Sequence, residues 1–419
     1  YMCCIEISGK EEDILDGLSH MTNSNTGLTF GAKATLSGTR EGETCVYRCD
    51  QYPYHPIGSV TFIWKPVEDI RRQLWVWCHP SCYNELWEQL KICYRNKSTI
   101  SEETASTEAN TYDSDSKEQT FISGDVTLKS LKDKLNRHRL TGPLANQIVH
   151  EVLRPANIID QGEKEQWWQC YYQDSARSSA FMQQEEFIEN METVSHPGEY
   201  TPHCIVGITL GDPRLAKPKK RTMVLQTIDT ETDKTCCSDK ILPEVSLSPL
   251  WDPVVQDQVK ATKISDQKLN QIKSELLIPG SAPDLGIEES RVPVILVQRP
   301  GVRHGISLNY GSGWDVILPQ NWSMAFWVAF IYRGARAAGI RDAESLNFEQ
   351  KMPYFPNDFP DSFAGCDHEK NMAEKLKNKY DKRPPAKRCN YNKLSITSPF
   401  SYPWLQLVRD WNVDSHGNP

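Results

Sequence analysis

No apolar run in this chain is long enough to cross a bilayer. The longest, Met324 to Tyr332, holds nine residues before Arg333 interrupts it, whereas a membrane helix needs roughly 20. A buried helix is expected there, and no membrane partner. The stretch Gly311-Ser312-Gly313 lacks the spacing and the following Lys-Ser/Thr of a phosphate-binding loop, so nucleotide binding is not expected. No fixed-period repeat is present. The ten histidines are scattered without an identifiable serine or cysteine partner, which leaves a catalytic triad without support. A disulfide framework is also missing: thirteen cysteines, an odd number at irregular spacing, read as reduced thiols of the cytosol or nucleus. Cys45 with Cys49, and Cys78-His79 with Cys82, could in principle hold zinc; buried free thiols are the preferred reading.

At 419 residues the chain exceeds the size at which one hydrophobic core keeps growing, so several α/β lobes are expected. The first, residues 1–99, has strands at Ser59 to Trp64 and Gln73 to Trp77. A helix after Pro80 then carries Tyr83, Leu86, Trp87, Leu90 and Tyr94 on one face. Residues 100–123 form an acidic Ser/Thr-rich linker. A second lobe, 124–228, has a strand ending at 139–143, a helix opened by Pro143 with Leu144, Ile148, Val152 and Leu153 inward, and a strand from Cys204 to Leu210. An irregular linker, 229–290, is broken by prolines and holds one helix near Gln267 to Leu277. The unit at 291–366 pairs a strand at Val292 to Val297 with one at Val316 to Leu318. A helix from Ser323 to Ala338, capped by Gly339, covers them. Residues 367–419 are a basic arm and tail. Neither end carries a clear terminal element, and a central piece of a longer protein is expected.

The formal net charge of -8 argues against a nucleic-acid partner until its distribution is considered. Between Ser101 and Gln119 six carboxylates meet one lysine, while Arg214, Lys217, Lys219, Lys220 and Arg221 place five positive charges within eight residues. Such a cluster neutralises phosphates and releases counterions; a nuclear-import signal or a solvated loop are the competing readings. Lys370 to Arg388 carries eight basic and two acidic residues around Tyr380, among them Lys377, Lys379, Lys382, Arg383, Lys387 and Arg388. Charge beside an aromatic suits RNA. Lys129 to Arg139 is a weaker case, explained largely by helical amphipathicity. Arg299, Arg303, His304, Arg333 and Arg336 flank the Gly-Ser-Gly turn. The last two, three apart on a helix, face either a shared anion or an internal carboxylate such as Asp315. In the Pro-aromatic stretch 352–361, Tyr354, Phe355 and Phe359 suit docking onto a partner, or strapping across the chain's own core.

Several of these stretches together resemble a known family. They are Ile306-Ser307-Leu308-Asn309-Tyr310-Gly311-Ser312-Gly313-Trp314-Asp315, Met324-Ala325-Phe326-Trp327, Tyr332-Arg333-Gly334-Ala335-Arg336 and Pro353-Tyr354-Phe355-Pro356. The family is the POPLD domain of the "processing of precursors" protein, the largest protein subunit of eukaryotic ribonuclease P and ribonuclease MRP. Leu74-Trp75-Val76-Trp77-Cys78-His79-Pro80 and Gly207-Ile208-Thr209-Leu210-Gly211-Asp212-Pro213-Arg214 look like central segments of the same subunit. The resemblance implies an α/β (α+β) multi-lobed protein whose first part is similar to the aminomethyltransferase fold of glycine cleavage, followed by a POPLD domain. It implies a nucleolar, RNA-binding scaffold with no catalytic residue of its own. Mg²⁺ acts at the RNA catalyst and no cofactor is held by the protein. The implied partners are the catalytic RNA, smaller basic subunits and, indirectly, precursor tRNA, for 5′-leader removal and ribosomal-RNA processing. A folate-dependent aminomethyltransferase and a protein-only interaction hub are the alternatives.

Overall fold

The computed structural model describes residues 2–23, 29–66, 70–95, 119–158, 166–218, 220–224, 243–276, 278, 283–305 and 307–412. The chain opens with β1 (Cys3–Lys10), α1 (Glu11–Ser19), α2 (Lys33–Leu36), β2 (Gly42–Tyr47), β3 (Pro56–Trp64), β4 (Arg71–Cys78) and α3 (Pro80–Arg95). It continues through β5 (Thr120–Ser123), β6 (Val126–Ser130), β7 (Leu135–Thr141), α4 (Ala145–Val152), α5 (Trp167–Tyr172), α6 (Ser175–Asn190) and β8 (Ile205–Leu210). Then come α7 (Pro253–Ala261), α8 (Asp266–Glu275), β9 (Val292–Arg299), β10 (Gly313–Pro319), α9 (Ser323–Tyr332), α10 (Ile340–Glu349), α11 (Phe363–Asp381) and α12 (Trp404–Asn412).

The strands form two antiparallel sheets, ordered β2-β3-β4-β1-β6-β5 and β7-β10-β9-β8. Strand alternation sends successive side chains to opposite faces, and in central strands such as β4, β9 and β10 both faces are buried. On β4, Leu74, Val76 and Cys78 enter a core with Ile14 and Leu18 of α1 and the inward face of α3, while Trp75 and Trp77 point the other way. On β9, Val292, Val294 and Leu296 pack under α4, α6 and α9, while Ile295 and Val297 join Trp75 and Trp77. The sheets therefore face one another across a shared layer, with helices outside each, as in a helix–sheet–sheet–helix stack. Trp75 anchors that layer by stacking on Trp251 at 3.8 Å between centroids and donating its indole N–H to the buried Glu6 carboxylate at 3.0 Å.

The compositional segments do not each own a sheet. Strands β6 and β7 are close in sequence, yet β6 completes the first sheet and β7 edges the second, pairing with β10. Four expectations need correction. The linker 100–123 ends in a strand, since Thr120–Ser123 pairs with β6 and its Ser123 hydroxyl donates to the Tyr94 carbonyl at 3.0 Å; residues 96–118 lie outside the described part. In the second linker, of which 229–242 is also outside, Pro253 does not break a helix but opens α7. Its missing N–H falls where a helix has no acceptor for it, and the Asp252 carboxylate caps the Val254 N–H at 2.8 Å. Residues 129–139 are not helix: 129–130 end β6, 135–139 lie in β7, and a turn joins them. Finally, α9 ends at Tyr332, where Gly334 turns the backbone at φ 106°, and Gly339 stands instead at the start of α10.

Trp75→Ala removes one of the three tryptophans of the inter-sheet layer and is expected to cost about 3–5 kcal/mol. Chemical denaturation followed by tryptophan fluorescence tests this; a cost near that of a surface change would remove the shared layer as a source of stability.

Candidate nucleic-acid interface

The strand registers that build the second sheet also place charge inside it. Asp315 lies directly opposite Arg139 on β7, and Gly313 opposite Arg299 on β9. Arg137 is two residues from Arg139 and shares its face. Asp315 is fully buried and accepts from all three guanidinium groups: Arg137 at 2.8 Å, Arg139 in a two-pronged contact at 2.7 and 2.8 Å, and Arg299 at 2.7 Å. Arg137 reaches on toward the first sheet, donating to Glu41 at 2.7 Å and to the Thr61 hydroxyl at 3.3 Å. Glu41 is held beside the second sheet by its own N–H, which donates to the His203 carbonyl at 3.0 Å. Arg299 comes within 2.5 Å of Glu41 Oε2 but without the alignment of a hydrogen bond. The network is an ionic staple between the sheets.

The two carboxylates are driven apart in acidity. Burial pushes the Asp315 carboxyl up, but Arg139 and Arg299 outweigh it and hold it below the usual aspartate range. For Glu41 burial prevails over Arg299, and the neighbouring Asp315 charge adds to it, so its carboxyl is raised.

The expected RNA-contacting residues divide sharply. Arg214 is turned inside: it grips the buried Asp212 at 2.6 to 3.1 Å and Asp266 at 2.7 Å, over the Trp322 ring. Arg299 is engaged by Asp315, and Arg333 pairs with Glu151 at 2.5 Å rather than with Asp315. Lys217, Lys220, Arg221 and Arg336 are exposed, and the fold unites them. The loop after Arg214 runs along the carboxyl end of α9, where the Thr222 N–H donates to Tyr332 at 2.8 Å, Arg221 to Ala335 at 3.0 Å, and the Lys217 ammonium sits 4.4 Å over the Tyr332 ring. The negative end of the helix dipole favours that placement. Lys220 and Arg336 make no ion pair among the described residues; Lys219 lies outside them.

Lys377, Lys379, Lys382, Arg383 and Lys387 are all exposed on α11 and the turn after it, and none pairs with a carboxylate among the described residues. Arg388 folds back to backbone carbonyls, including that of Arg383 at 2.7 Å. Tyr380 is not an open stacking platform: it packs with Tyr391 and Phe400 at 5.4 and 5.5 Å and donates to the Cys389 carbonyl at 2.7 Å. Arg303 donates to the His203 ring at 2.5 Å, and His304 is exposed.

Of the residues expected to dock a partner, Phe355 packs onto the first core, edge-on to His79 at 5.4 Å, and Phe359 lies 5.2 Å from it. They strap the chain's own body. The half-buried Tyr354 has its N–H held by Asp358 at 2.8 Å. An apolar surface unnoticed in the sequence is α12, whose Trp404, Leu407, Val408 and Trp411 recur at helical spacing and are all exposed. Among the described residues no grouping of three or more His, Cys, Asp or Glu could hold a metal. Nor is any helix among them long and apolar enough to cross a membrane. The described cysteines are free thiols.

Asp315→Asn leaves buried guanidinium groups uncompensated and is expected to cost about 3–5 kcal/mol at neutral pH; Glu41→Gln costs less. The pH signs differ. The lowered Asp315 carboxyl contributes stability above the ordinary aspartate range that is lost as pH falls through its folded value. The raised Glu41 carboxyl favours folding at low pH and loses that contribution as pH rises through its folded value. Denaturant titrations from about pH 4 to 7 should therefore show Glu41→Gln gaining on the parent as pH rises; curves that stay parallel count against this assignment.

Residues 313–404 match the POPLD (NUC188) domain. The human (Homo sapiens) ribonucleases P/MRP protein subunit POP1 is 36% identical over 98% of this chain and 46% of its own length. The Arabidopsis thaliana POP1 subunit is 23% identical over 93% of this chain and 48% of its length, and the Caenorhabditis elegans subunit popl-1 is 23% identical over 90% and 43%. The chain thus spans just under half the length of these curated relatives. It is a homologue of the ribonucleases P/MRP protein subunit POP1 and carries a POPLD domain.

Proposed function

We propose that this chain is a non-catalytic, RNA-holding scaffold within a ribonuclease P or MRP particle of the nucleus and nucleolus. In this reading it contacts the particle's RNA, and cleavage of precursor-tRNA leaders or ribosomal-RNA precursors is carried out by the RNA with its Mg²⁺. The observation that carries the reading is the segregation of lysine from carboxylate. Lys377, Lys379, Lys382 and Lys387 project from one arm, and Lys217, Lys220, Arg221 and Arg336 from one end of α9, on a chain whose net charge is -8. Exposed, unpaired cations on a folded body are what a polyanion neutralises most favourably. The apolar stripe of α12 supports docking of a smaller protein subunit, since aromatic-rich exposed faces mark protein contacts. Against the folate reading stand the buried carboxylates Glu41 and Asp315, both already engaged by guanidinium groups, so neither is free to take up a small amine.

Replacing Lys377, Lys379 and Lys382 together with alanine is expected to weaken binding of the particle's RNA. It should also flatten log affinity against log salt by roughly 0.7–0.9 for each phosphate no longer neutralised. The measurement is fluorescence anisotropy across a salt series; a slope equal to the parent's would take the arm out of the interface.

A further inference from the structure

Three serine or threonine residues of the sequence stand directly before a proline: Thr201, Ser248 and Ser398. A hydroxyl in that position is what a proline-directed kinase reads, and the fold leaves the third one open. Ser248 is 5% exposed, and its hydroxyl caps the Leu250 N–H at 3.3 Å. Thr201 is fixed in the turn that enters β8, where its carbonyl accepts from the Cys204 N–H at 3.2 Å. Ser398 lies in irregular chain between α11 and α12, half-buried, with Thr397 exposed before it. Its hydroxyl has no hydrogen-bond partner among the described residues.

The segment that carries Ser398 is folded back onto the basic arm. The chain turns at Ser395, where φ is 56°, and the Ile396 N–H donates to the Tyr391 carbonyl at 3.0 Å. Tyr391 and Phe400 then pack 5.6 Å from one another and 5.4 and 5.5 Å from Tyr380, at the carboxyl end of α11. Arg388 lies over that same Tyr380 ring, 5.8 Å from its centre. Its Nε and Nη2 donate to the Arg383 and Asp381 carbonyls, and its Nη1 has no partner among the described residues. One ring is therefore the common neighbour of Arg388 and of Phe400, two residues beyond Ser398.

We propose that Ser398 is a phosphorylation site for a proline-directed serine kinase, and that its phosphate weakens the hold of the α11 arm on RNA. The Ser398 Oγ attacks the γ-phosphorus of a nucleoside triphosphate, its proton passes to the kinase's base, and the nucleoside diphosphate leaves. The product carries a charge of about -1.5 to -2 at neutral pH. It enters a stretch, Lys370 to Arg388, that holds eight basic residues against two acidic ones, and offsets part of that surplus from within. The negative end of the helix dipole repels an anion at this place, so the phosphate is met by a guanidinium, that of Arg388, in charge-assisted hydrogen bonds. Screening over about 8 Å at physiological salt confines the effect to the arm and leaves the cations at the end of α9 untouched. The proposal rests on the reading of α11 as an RNA-contacting arm.

The test treats the whole chain with proline-directed kinases of the cyclin-dependent and mitogen-activated classes and Mg-ATP, and maps the product by mass spectrometry. Phosphate is expected on Ser398 and not on Ser248 or Thr201; a chain left unmodified at Ser398 overturns the site. Binding of the particle's RNA is then followed by fluorescence anisotropy across a salt series. The phosphorylated chain should bind several-fold more weakly at about 0.15 M salt, with a slope flatter by roughly 0.7–0.9 for each cation masked. Ser398→Glu should fall between it and the parent, and Ser398→Ala should bind as the parent does and ignore the kinase. If the α11 lysine variant loses affinity while the phosphorylated chain does not, the proposed regulation is wrong and the RNA reading of the arm stands. If Ser398 takes phosphate but neither change alters RNA binding, the site stands and that reading falls.

Discussion

A carboxylate with no exposure to water must find cations or lose its charge, and Asp315 finds three. Its position on β10 follows from strand alternation, which turns every second residue toward the opposing sheet. Once Asp315 is inside, Arg139 across the ladder and Arg137 two residues away are brought to it by register alone. A one-residue slip of β7 would turn both arginines to the outer, apolar face and leave the carboxylate unpaired. The staple therefore specifies pairing more than it adds net stability, because a buried ion cluster of this kind recovers little beyond its own desolvation cost. Its extension through Arg137 to Glu41 applies the same demand between sheets, where apolar contacts alone would tolerate sliding.

The basic residues are divided by chemistry. Arg137, Arg214, Arg291, Arg299 and Arg333 are all turned inward to carboxylates or carbonyls. The lysines at 217, 220, 377, 379, 382 and 387 remain in water. A guanidinium is weakly hydrated and forked, which favours its burial when a carboxylate faces it; an ammonium holds its water more tightly and stays outside. An acidic chain can thus display a basic surface, since many of its arginines are withdrawn into pairs and the lysines at 217, 220, 377, 379, 382 and 387 meet no carboxylate among the described residues.

The same division explains how much of the molecule was legible in its sequence. Short β-branched and aromatic runs marked β3, β4, β8, β9 and β10, and the spacing of Tyr83, Leu86, Trp87, Leu90 and Tyr94 marked α3 together with its buried face. What the sequence hid was partnership across distance. Alternation reports two faces but not which sheet lies beyond them, so β7 pairing with β10 could not be read from either strand. Arg214 and Arg299 looked like surface charge although Asp212 lies two residues from the first and Asp315 sixteen from the second, while Arg333, open to a shared anion or an internal carboxylate such as Asp315, takes Glu151 instead. Arg137 and Arg139 did carry a signal, a separation of two, which fits a strand face and not a helix face. The apolar stripe of α12 was also visible at helical spacing but lay among polar tail residues.

The separation in sequence also constrains how such a surface comes into being. Arg139 and Asp315 are 176 residues apart, and Arg137 and Glu41 are 96 apart, so the staple closes only after long stretches of chain have been ordered. Contacts of that range form slowly because the entropy of closing the loop comes before any energetic return. Until they form, Asp315 and its arginines are solvated and separate. The lysines of α11, by contrast, sit on one helix and are gathered as soon as that helix forms. The basic surface of α11 is therefore local and available early, whereas the charge network around Asp315 is conditional on both sheets having met.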